Sequence, residues 1–353
     1  MPPSTVSILI TTYNSADVLG PCLDSLRGQD YGPLEPIVVD NASTDGTREI
    51  LGPLEQTGRV LYNETNWGFA AAQNQALGHA SGEWVMSLNP DVLLSPNFIR
   101  ELVAAARMDS AVGMACGKLL RWRPGAAPPC TKIVDSTGIY VLRNLRHLDR
   151  GSEELDQGQY DEPAYVFGAT GAAALYRRTM IEDISVAGEF YDEDFFAYRE
   201  DADVAWRAQL RGWRCVYTPR AVAWHVRRVT PSRRRVLPFF INWHSVKNRF
   251  LMRAKNISLP LYLRLFLPIT LRDATILGYA LLVDHRLLSI LPFLWKGRTG
   301  IREKRRWIQS RRRVSDGELA RWFSNRPVSF TLGAAQRSGH PKPAAPRQAD
   351  LAR

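Results

Sequence analysis

The first part of the chain alternates between two spacings of apolar residues. Short β-branched and apolar runs, "VSILITTY", "EPIVVD", "GRVLYNE" and "GEWVMSL", read as buried strands. Between them, "SADVLGPCLDSLRGQ", "STDGTREILGPL" and "NWGFAAAQNQALGHAS" carry apolar residues at helical spacing. Ser15 is placed to cap the first helix, and "SPNFIRELVAAAR" predicts another with Ser95 as cap and Pro96 in its first turn. This alternation with short links predicts a parallel α/β sheet. Ligands of such sheets bind at the carboxyl ends of the strands. There the polar residues gather: Thr11–Asn14, Asp40–Asn41, Asn66–Gly68 and Asn89–Asp91.

Farther along, residues 121–165 are rich in Pro, Gly and charge and read as loops with some strand. "AYVFGATGAAALYRR" is strand-like around its glycines, and Gly168–Ala172 reads either as an opening for a sugar or as a tight packing site. "YREDADVAWRAQLRGW" predicts a helix with Glu200, Asp201 and Asp203 in its first turn and Gly212 as its stop. "RCVYTPRAVAWHVRR" predicts a strand ending at His225. Trp67, Trp84 and Trp206 read as packing residues.

Charge divides the chain. Residues 1–228 hold 21 Lys+Arg against 29 Asp+Glu, a net −8, whereas residues 229–325 hold 20 against 5, a net +15. A section so basic, with Leu, Phe and Trp interleaved, is expected to meet an anionic membrane surface. Its longest uncharged runs, Ala274–Val283 and Leu287–Trp295, are about half the ~20 residues of a spanning helix, and Pro260, Pro268 and Pro292 interrupt it. In-plane amphipathic helices are therefore expected. Residues 326–353 read as a disordered, low-complexity tail. The four cysteines, Cys22, Cys116, Cys130 and Cys215, form no CxxC pair and read as reduced structural thiols. "MPPSTVSILITTYNS" lacks a signal-peptide pattern, so a cytoplasmic location is expected, peripheral on the inner face of the cell membrane.

The strand-end groups can act together. Asp40 can accept a hydrogen bond from a nucleobase, and Tyr13 or Trp67 can stack on one. Asp91 and His225 can share a divalent cation, since Mg²⁺ takes only one or two carboxylates when phosphates complete its shell, and an imidazole tilts the choice toward Mn²⁺. Gly68 permits close backbone approach to a phosphate or sugar. The acids at 200–203 offer a general base.

The motifs "SILITTYNSADVLGPCLDSL", "VVDNASTDGT", "NWGFAAAQNQAL", "SLNPDVLL" and "FFAYREDADVAWRAQLRGW", followed by "AVAWH", resemble glycosyltransferase family 2, and most of all its bacterial rhamnosyltransferase-type members. The resemblance covers about residues 5–228 and implies a GT-A, Rossmann-like fold and an inverting reaction. By matching positions it implies that Thr11, Tyr13 and Asp40 hold the pyrimidine nucleoside, with Asn41, Asn66 and Gly68 nearby and Asn74 beside the donor sugar or its loop. "NPD" stands where the family has Asp-x-Asp, which makes Asp91 the metal-binding carboxylate and Asn89 a neutral partner to ribose or water. His225 matches a second metal position. Asp201 matches the base, with Glu200 beside it.

The resulting expectation is a GT-A domain over 1–228, a basic amphipathic helical region over 229–325 and a tail over 326–353. The enzyme would use Mn²⁺ or Mg²⁺ to move a sugar, first of all L-rhamnose from dTDP-rhamnose, to a lipid-linked or cell-envelope glycan. Its partners would be a dTDP- or UDP-linked donor, a glycan or polyprenyl-linked acceptor and an anionic membrane, with no nucleic acid. The competing readings are hexosyl or galactofuranosyl transfer from a UDP-sugar, a non-catalytic nucleic-acid- or membrane-binding protein using the basic section, and a catalytically silent sugar-nucleotide-binding or scaffold protein of the same fold.

Overall fold

The structure, a computed structural model, describes residues 4–127, 131–227 and 238–332. Cys130, Arg233–Arg235 and most of the expected tail lie outside the described residues. The chain runs β1 (Val6–Thr12), α1 (Ala16–Arg27), β2 (Leu34–Asp40), α2 (Thr47–Leu51), β3 (Arg59–Tyr62), α3 (Gly68–Leu77), β4 (Trp84–Leu88), β5 (Val92–Leu94), α4 (Phe98–Arg107) and β6 (Val112–Arg121). There follow β7 (Val134–Ser136), β8 (Ile139–Val141), β9 (His147–Asp149), β10 (Ala164–Val166), β11 (Ala173–Arg177), α5 (Arg178–Ile184), α6 (Glu200–Leu210) and β12 (Arg214–His225). The last part is helical: α7 (Phe239–Asn256), α8 (Leu259–Arg264), α9 (Phe266–Leu282), α10 (Ile290–Lys296), α11 (Arg298–Ser310) and α12 (Asp316–Ala320), closed by β13 (Phe330–Thr331).

Among the described residues one large sheet has the order β13-β10-β12-β6-β11-β4-β1-β2-β3, with β5 on β12 and β7 on β6. β3, β2, β1 and β4 are parallel, as their helical crossovers require. Beyond β4, where the sequence pattern predicts strands without a direction, the sheet is mixed. β11 runs antiparallel to both β4 and β6. It is reached through the loops and short strands of residues 121–172 rather than a packed helix, so no right-handed crossover fixes its direction.

The central strands are buried on both faces, which is why "SILI" and "WVMSL" read as continuous apolar runs. α4 begins at Phe98 with Asn97 in the cap position, later than the sequence predicts. The Ser95 hydroxyl donates to Asn97 Oδ1, 2.9 Å, and the Ser95 amide donates to Val222 O, 3.0 Å, so Ser95 belongs to the β5–β12 junction and not to the helix. α6 ends as expected, with Gly212 at φ +86° just past it. Gly168 is a packing glycine: a Cβ there would lie 2.3 Å from the Cβ of Ala205 on α6.

α7 joins the helical part to the sheet domain through polar contacts. Its buried face carries His244, Ser245, Lys247, Asn248, Arg249, Lys255 and Asn256 beside Leu251 and Met252. Lys255 pairs with Asp192 and lies 3.3 Å from Asp203, and Asn256 donates to Asp203 Oδ1 at 2.7 Å. Lys304 on α11 reaches Glu189, Asp192 and Asp194. Part of the +15 charge is thus paired inside the molecule with the acidic sheet domain. α8–α10 present the opposite surface, with Leu259, Leu263, Leu267, Leu271, Leu282 and Trp295 all exposed. Among the described residues no single helix is long and apolar enough to cross a membrane; α9 and the segment His285–Lys296 pass a length and composition test only together, bent by 116°.

Gly168→Ala is expected to destabilise the fold by about 1–3 kcal/mol, because the new methyl must push α6 from the sheet. A lower urea midpoint at unchanged slope checks this, with Gly171→Ala, whose Cβ would meet Asp201 only at an ordinary 3.5 Å, as the mild control.

Candidate active site

A cavity of about 560 Å³ opens at the carboxyl ends of the parallel strands. Asn89 and Asp91 follow β4, Glu200 and Asp201 open α6, and His225 ends β12; all five line it. Sheet register brings the distant pair together. His225 is paired with Val92 across β12 and β5, and the Val226 amide donates to Asp91 O at 3.0 Å. His225 Nε2 then faces Asp91 Oδ1 across 3.3 Å.

The other ring nitrogen is held by a residue that the sequence reading missed. His225 Nδ1 lies 2.7 Å from Oδ2 of Asp135, which is fully buried on β7. Asp135 also takes Arg121 Nε at 2.8 Å and Arg227 Nη1 at 3.4 Å. Arg227 in turn pairs with Asp149, another wall residue. Burial alone would lower the His225 pKa, but Asp135 and then Asp91 raise it to about 10. Burial would raise that of Asp135, yet His225 and the two arginines hold it below the usual carboxylate range. In "KIVDSTG" only Ile133 and Val134 are apolar, so the sequence offers little sign that Asp135 is buried and must be paired.

Among the described residues no group of three or more His, Cys, Asp or Glu side chains could hold a cation. Asp91 and His225 nevertheless fit a divalent metal whose shell is completed by water and phosphate. A carboxylate on Nδ1 orients a metal-ligating imidazole, and Asp135 stands in that position. Loading would require His225 to give up its Nε2 proton.

Asp201 Oδ2 accepts the Gly171 amide at 3.1 Å, and Oδ1 accepts its neighbour's, Ala202, at 2.7 Å. The glycine run therefore serves two purposes, packing at Gly168 and site geometry at Gly171. Glu200 differs: its Oε2 is buried without a hydrogen-bond partner among the described residues. Burial and then Asp201 push the Glu200 pKa up to about 8. Burial raises Asp201 too, but the Gly171 amide opposes it. Two adjacent carboxyls are thus held apart, with Asp201 the better supported as the ionised one. Asp203 is spent elsewhere, on Arg207 at 2.8 Å, Lys255 and Asn256.

The segment before these acids is unusual. Phe196, Tyr198 and Arg199 have φ of +64°, +72° and +72°. The Asn248 side chain donates to the carbonyls of Phe195, Ala197 and Tyr198 at 3.0, 2.8 and 2.7 Å. Phe196 presses on Gly68, itself at φ +83°, where a Cβ would lie 2.6 Å from the ring. In this structure the approach that Gly68 permits is that of Phe196. Nothing in the sequence pattern marks Asn248, which sits in a helix that otherwise reads as a basic surface element.

The remaining expected site residues lie at strand ends or the adjoining helix but do not line the cavity. Thr11 Oγ1 accepts Gln73 Nε2 at 3.2 Å. Asp40 is fully buried, taking the Thr12 hydroxyl at 3.1 Å, the Ser43 amide at 3.2 Å and Arg48 Nε at 3.0 Å. Asn41 is buried and bonds to Gly68 O at 3.0 Å and Asn63 at 2.9 Å. Asn66 Oδ1 accepts the Gly68 amide at 2.9 Å. Asn74 holds the Tyr191 main chain through both amide atoms. Here Asp40, Asn41 and Asn74 have their polar atoms engaged within the protein. Tyr13 and Trp67 are half exposed, so Trp67 is not the packing residue expected, whereas Trp84 and Trp206 are fully buried.

The family model described as Glycosyl transferase family 2 matches residues 7–185. The chain belongs to glycosyl transferase family 2. Over 238 residues this family 2 chain is 28% identical to an N-acetylglucosaminyl-diphospho-decaprenol L-rhamnosyltransferase of Mycobacterium tuberculosis, covering 62% of this chain and 75% of that one. It is 22% identical over 222 residues to a poly-beta-1,6-N-acetyl-D-glucosamine synthase of Staphylococcus aureus, covering 62% of this chain and 49% of the synthase. Among solved structures, GalNAc-T7 with UDP, GalNAc and Mn²⁺ aligns with a TM-score of 0.53 at 14% identity, over 72% of this chain and 48% of that one. The chain thus spans about half the length of the synthase and of GalNAc-T7. At that identity the structural likeness shows the fold, a mixed α/β sheet of GT-A type.

Glu200 gives the glycosyltransferase a pH signature. Its folded pKa lies above the ordinary 4.5, so the stability it contributes is full below about 4.5 and is lost as pH rises toward 8. Glu200→Gln is expected to narrow the difference in melting temperature between pH 5 and pH 8.5, as calorimetry of both proteins would show.

Proposed function

We propose that this family 2 member is an inverting glycosyltransferase that moves a sugar from a nucleotide donor to a hydroxyl of a lipid-linked glycan. One observation carries the reading: Asp201, held by two backbone amides, faces the same cavity as the Asp91–His225 pair. Asp201 would accept the proton of the acceptor hydroxyl as its oxygen bonds the anomeric carbon from the face opposite the leaving group. The anomeric C–O bond breaks, and its electron pair leaves on the nucleoside diphosphate. A divalent cation held by Asp91 and His225 would supply charge neutralisation for that diphosphate. Asp135 fixes the His225 ring, and Asn89 offers a neutral amide beside Asp91. Glu200, protonated at neutral pH, leaves Asp201 as the proton acceptor.

The donor we favour is dTDP-L-rhamnose and the acceptor a polyprenyl diphosphate-linked sugar, supported by similarity to a relative named as an L-rhamnosyltransferase acting on N-acetylglucosaminyl-diphospho-decaprenol. The exposed Leu and Trp side chains of α8–α10, beside Arg264, Lys296, Arg298 and Arg302, support work at an anionic membrane surface on the cytoplasmic side. A panel of dTDP-, UDP- and GDP-sugars with Mn²⁺ or Mg²⁺ and a short-chain lipid-linked acceptor tests the reading, with acceptor-dependent release of dTDP expected. Release from UDP-sugars alone would replace rhamnose, and no release from any donor would remove the catalytic reading.

Asp201→Asn is expected to lower turnover by about 10²–10⁴-fold with donor affinity nearly unchanged, checked by initial rates beside calorimetric donor binding. Asp91→Ala should weaken donor binding in the presence of metal and leave it indifferent to a chelator, whereas wild-type donor binding should weaken on chelation.

A further inference from the structure

Two arginines at the helical end of the molecule lack acidic partners. Arg146, just before β9, lines the active-site cavity and is half-buried. Arg272, on α9, is half-buried as well. Neither guanidinium has a hydrogen bond or ion pair within the described residues. They are close enough that Arg272, after burial, depresses the pKa of Arg146. Two more arginines stand behind them. Arg249 on α7 donates to Asn144 O at 2.7 Å and to Asp273 Oδ1 from both Nε at 3.1 Å and Nη2 at 3.0 Å; Arg253 pairs with the other oxygen of Asp273. Asn144 in turn accepts the Arg146 amide at 3.1 Å, so the loop, α7 and α9 form one cluster. Asp273 is the carboxylate bonded within it, and it is engaged by Arg249 and Arg253, not by Arg146 or Arg272.

Concentrating like charges in partly dehydrated positions is unfavourable unless an anion joins them. Beside the cluster the surface is apolar: Leu267 and Leu271 on α9, one turn apart, and Leu259 and Leu263 on α8 are each at least 60% exposed. An anion bound here would have a hydrocarbon-compatible surface on one side and the cavity leading to Asp201 on the other.

We infer that Arg146 and Arg272, backed by Arg249 and Arg253, bind the diphosphate of a polyprenyl diphosphate-linked acceptor. The polyprenyl chain lies along α8 and α9, and the sugar enters the cavity toward Asp201. Guanidinium forks suit phosphate oxygens, and two such groups can share the charge of a diphosphate. This inference rests on the lipid-linked acceptor of the proposed function and adds the residues that recognise it.

The test uses the full chain in a chelator, which disfavours loading of a diphosphate at Asp91 and His225. Farnesyl diphosphate, farnesol and inorganic pyrophosphate are titrated against wild type, Arg272→Gln and the double variant Arg146→Gln/Arg272→Gln, with circular dichroism as the folding check. Arg272→Gln changes a side chain with no internal partner, so it should fold as wild type does. The expected result is farnesyl diphosphate binding weakened at least about tenfold in the double variant and less in the single one. Farnesol binding should be weak and the same in all three proteins, and pyrophosphate weaker than farnesyl diphosphate. Equal farnesyl diphosphate affinity in wild type and both folded variants overturns the site. Pyrophosphate binding as tight as farnesyl diphosphate overturns the lipid part of the assignment. No farnesyl diphosphate binding by wild type, together with equal transfer to lipid-free and lipid-linked acceptors, overturns the lipid-linked acceptor itself.

Discussion

Three positive-φ residues in a row of four, Phe196, Tyr198 and Arg199, set the position of the acids that follow them. Each such non-glycine conformation costs on the order of 1–2 kcal/mol, so the segment keeps its shape only because its surroundings dictate it. From one side Gly68 gives Phe196 room, and Phe196 O accepts the Ala70 amide at 3.0 Å. From the other side the two N–H groups of Asn248 Nδ2 are shared among three carbonyls, and Arg199 donates to Ser245 O at 2.8 Å. Net gains of about 0.5–1.5 kcal/mol per hydrogen bond offset the strain, and the arrangement leaves little alternative for the backbone entering α6. Glu200 and Asp201 thereby inherit a direction fixed by α3 and α7 together. Part of what looked like an appended basic region is therefore active-site scaffold.

That joint role changes the meaning of the charge asymmetry. A −8 body beside a +15 section reads at first as a protein with one face for polyanions. Lys255 is buried among Asp192 and Asp203, and Lys304 bridges three acids of the 189–194 segment. These contacts hold α7 and α11 to the sheet domain. Since a buried charge left unpaired costs several kcal/mol, each side requires the other. What remains outward-facing is concentrated on α8–α11, where cations alternate with exposed Leu and Trp. The separation is by depth and not by sequence block, which is why composition alone could not make it.

The parallel half of the fold was legible because short, continuous apolar runs alternate with helically spaced segments and end in polar turn residues from β1 to β4. β11 was legible as a strand but not in direction, because only a packed crossover would have fixed its sense. In the site, Asp91, Asp201 and His225 were legible through their motifs, and the structure gathers all three into one cavity. Asp135, Asn248 and Arg146 were not. Asp135 acts through His225 and has no motif spacing to it. Asn248 looks like any polar helix residue until its three carbonyl acceptors are seen. Arg146 matters because of what it lacks, and a missing partner is visible only in three dimensions. Conversely, Asn41 and Asn74 sit where the motifs put a nucleotide site, yet their side-chain polar atoms brace loops here, so a motif position and an open binding position are separate facts.

The cavity has a polarity that follows from these placements. Its lining includes Asp91, Glu200, Asp201 and His225, with Arg199 and Arg227, and also Arg146, which is electrostatically close to Arg272 of α9. The proposed acceptor, neutral at its reacting hydroxyl and anionic at its attachment point, would enter with its phosphates toward Arg146. Reversed, its phosphates would meet the Asp201 carboxylate in a low-dielectric space, where like-charge repulsion is least screened. The same burial that raises the Glu200 and Asp201 pKa values penalises any second anion there. Orientation of the acceptor thus needs no contact to its sugar beyond those that place the hydroxyl near Asp201. Tyr140, His147, Tyr198 and Asn242 line the same cavity and add aromatic and neutral polar surface to its charged groups.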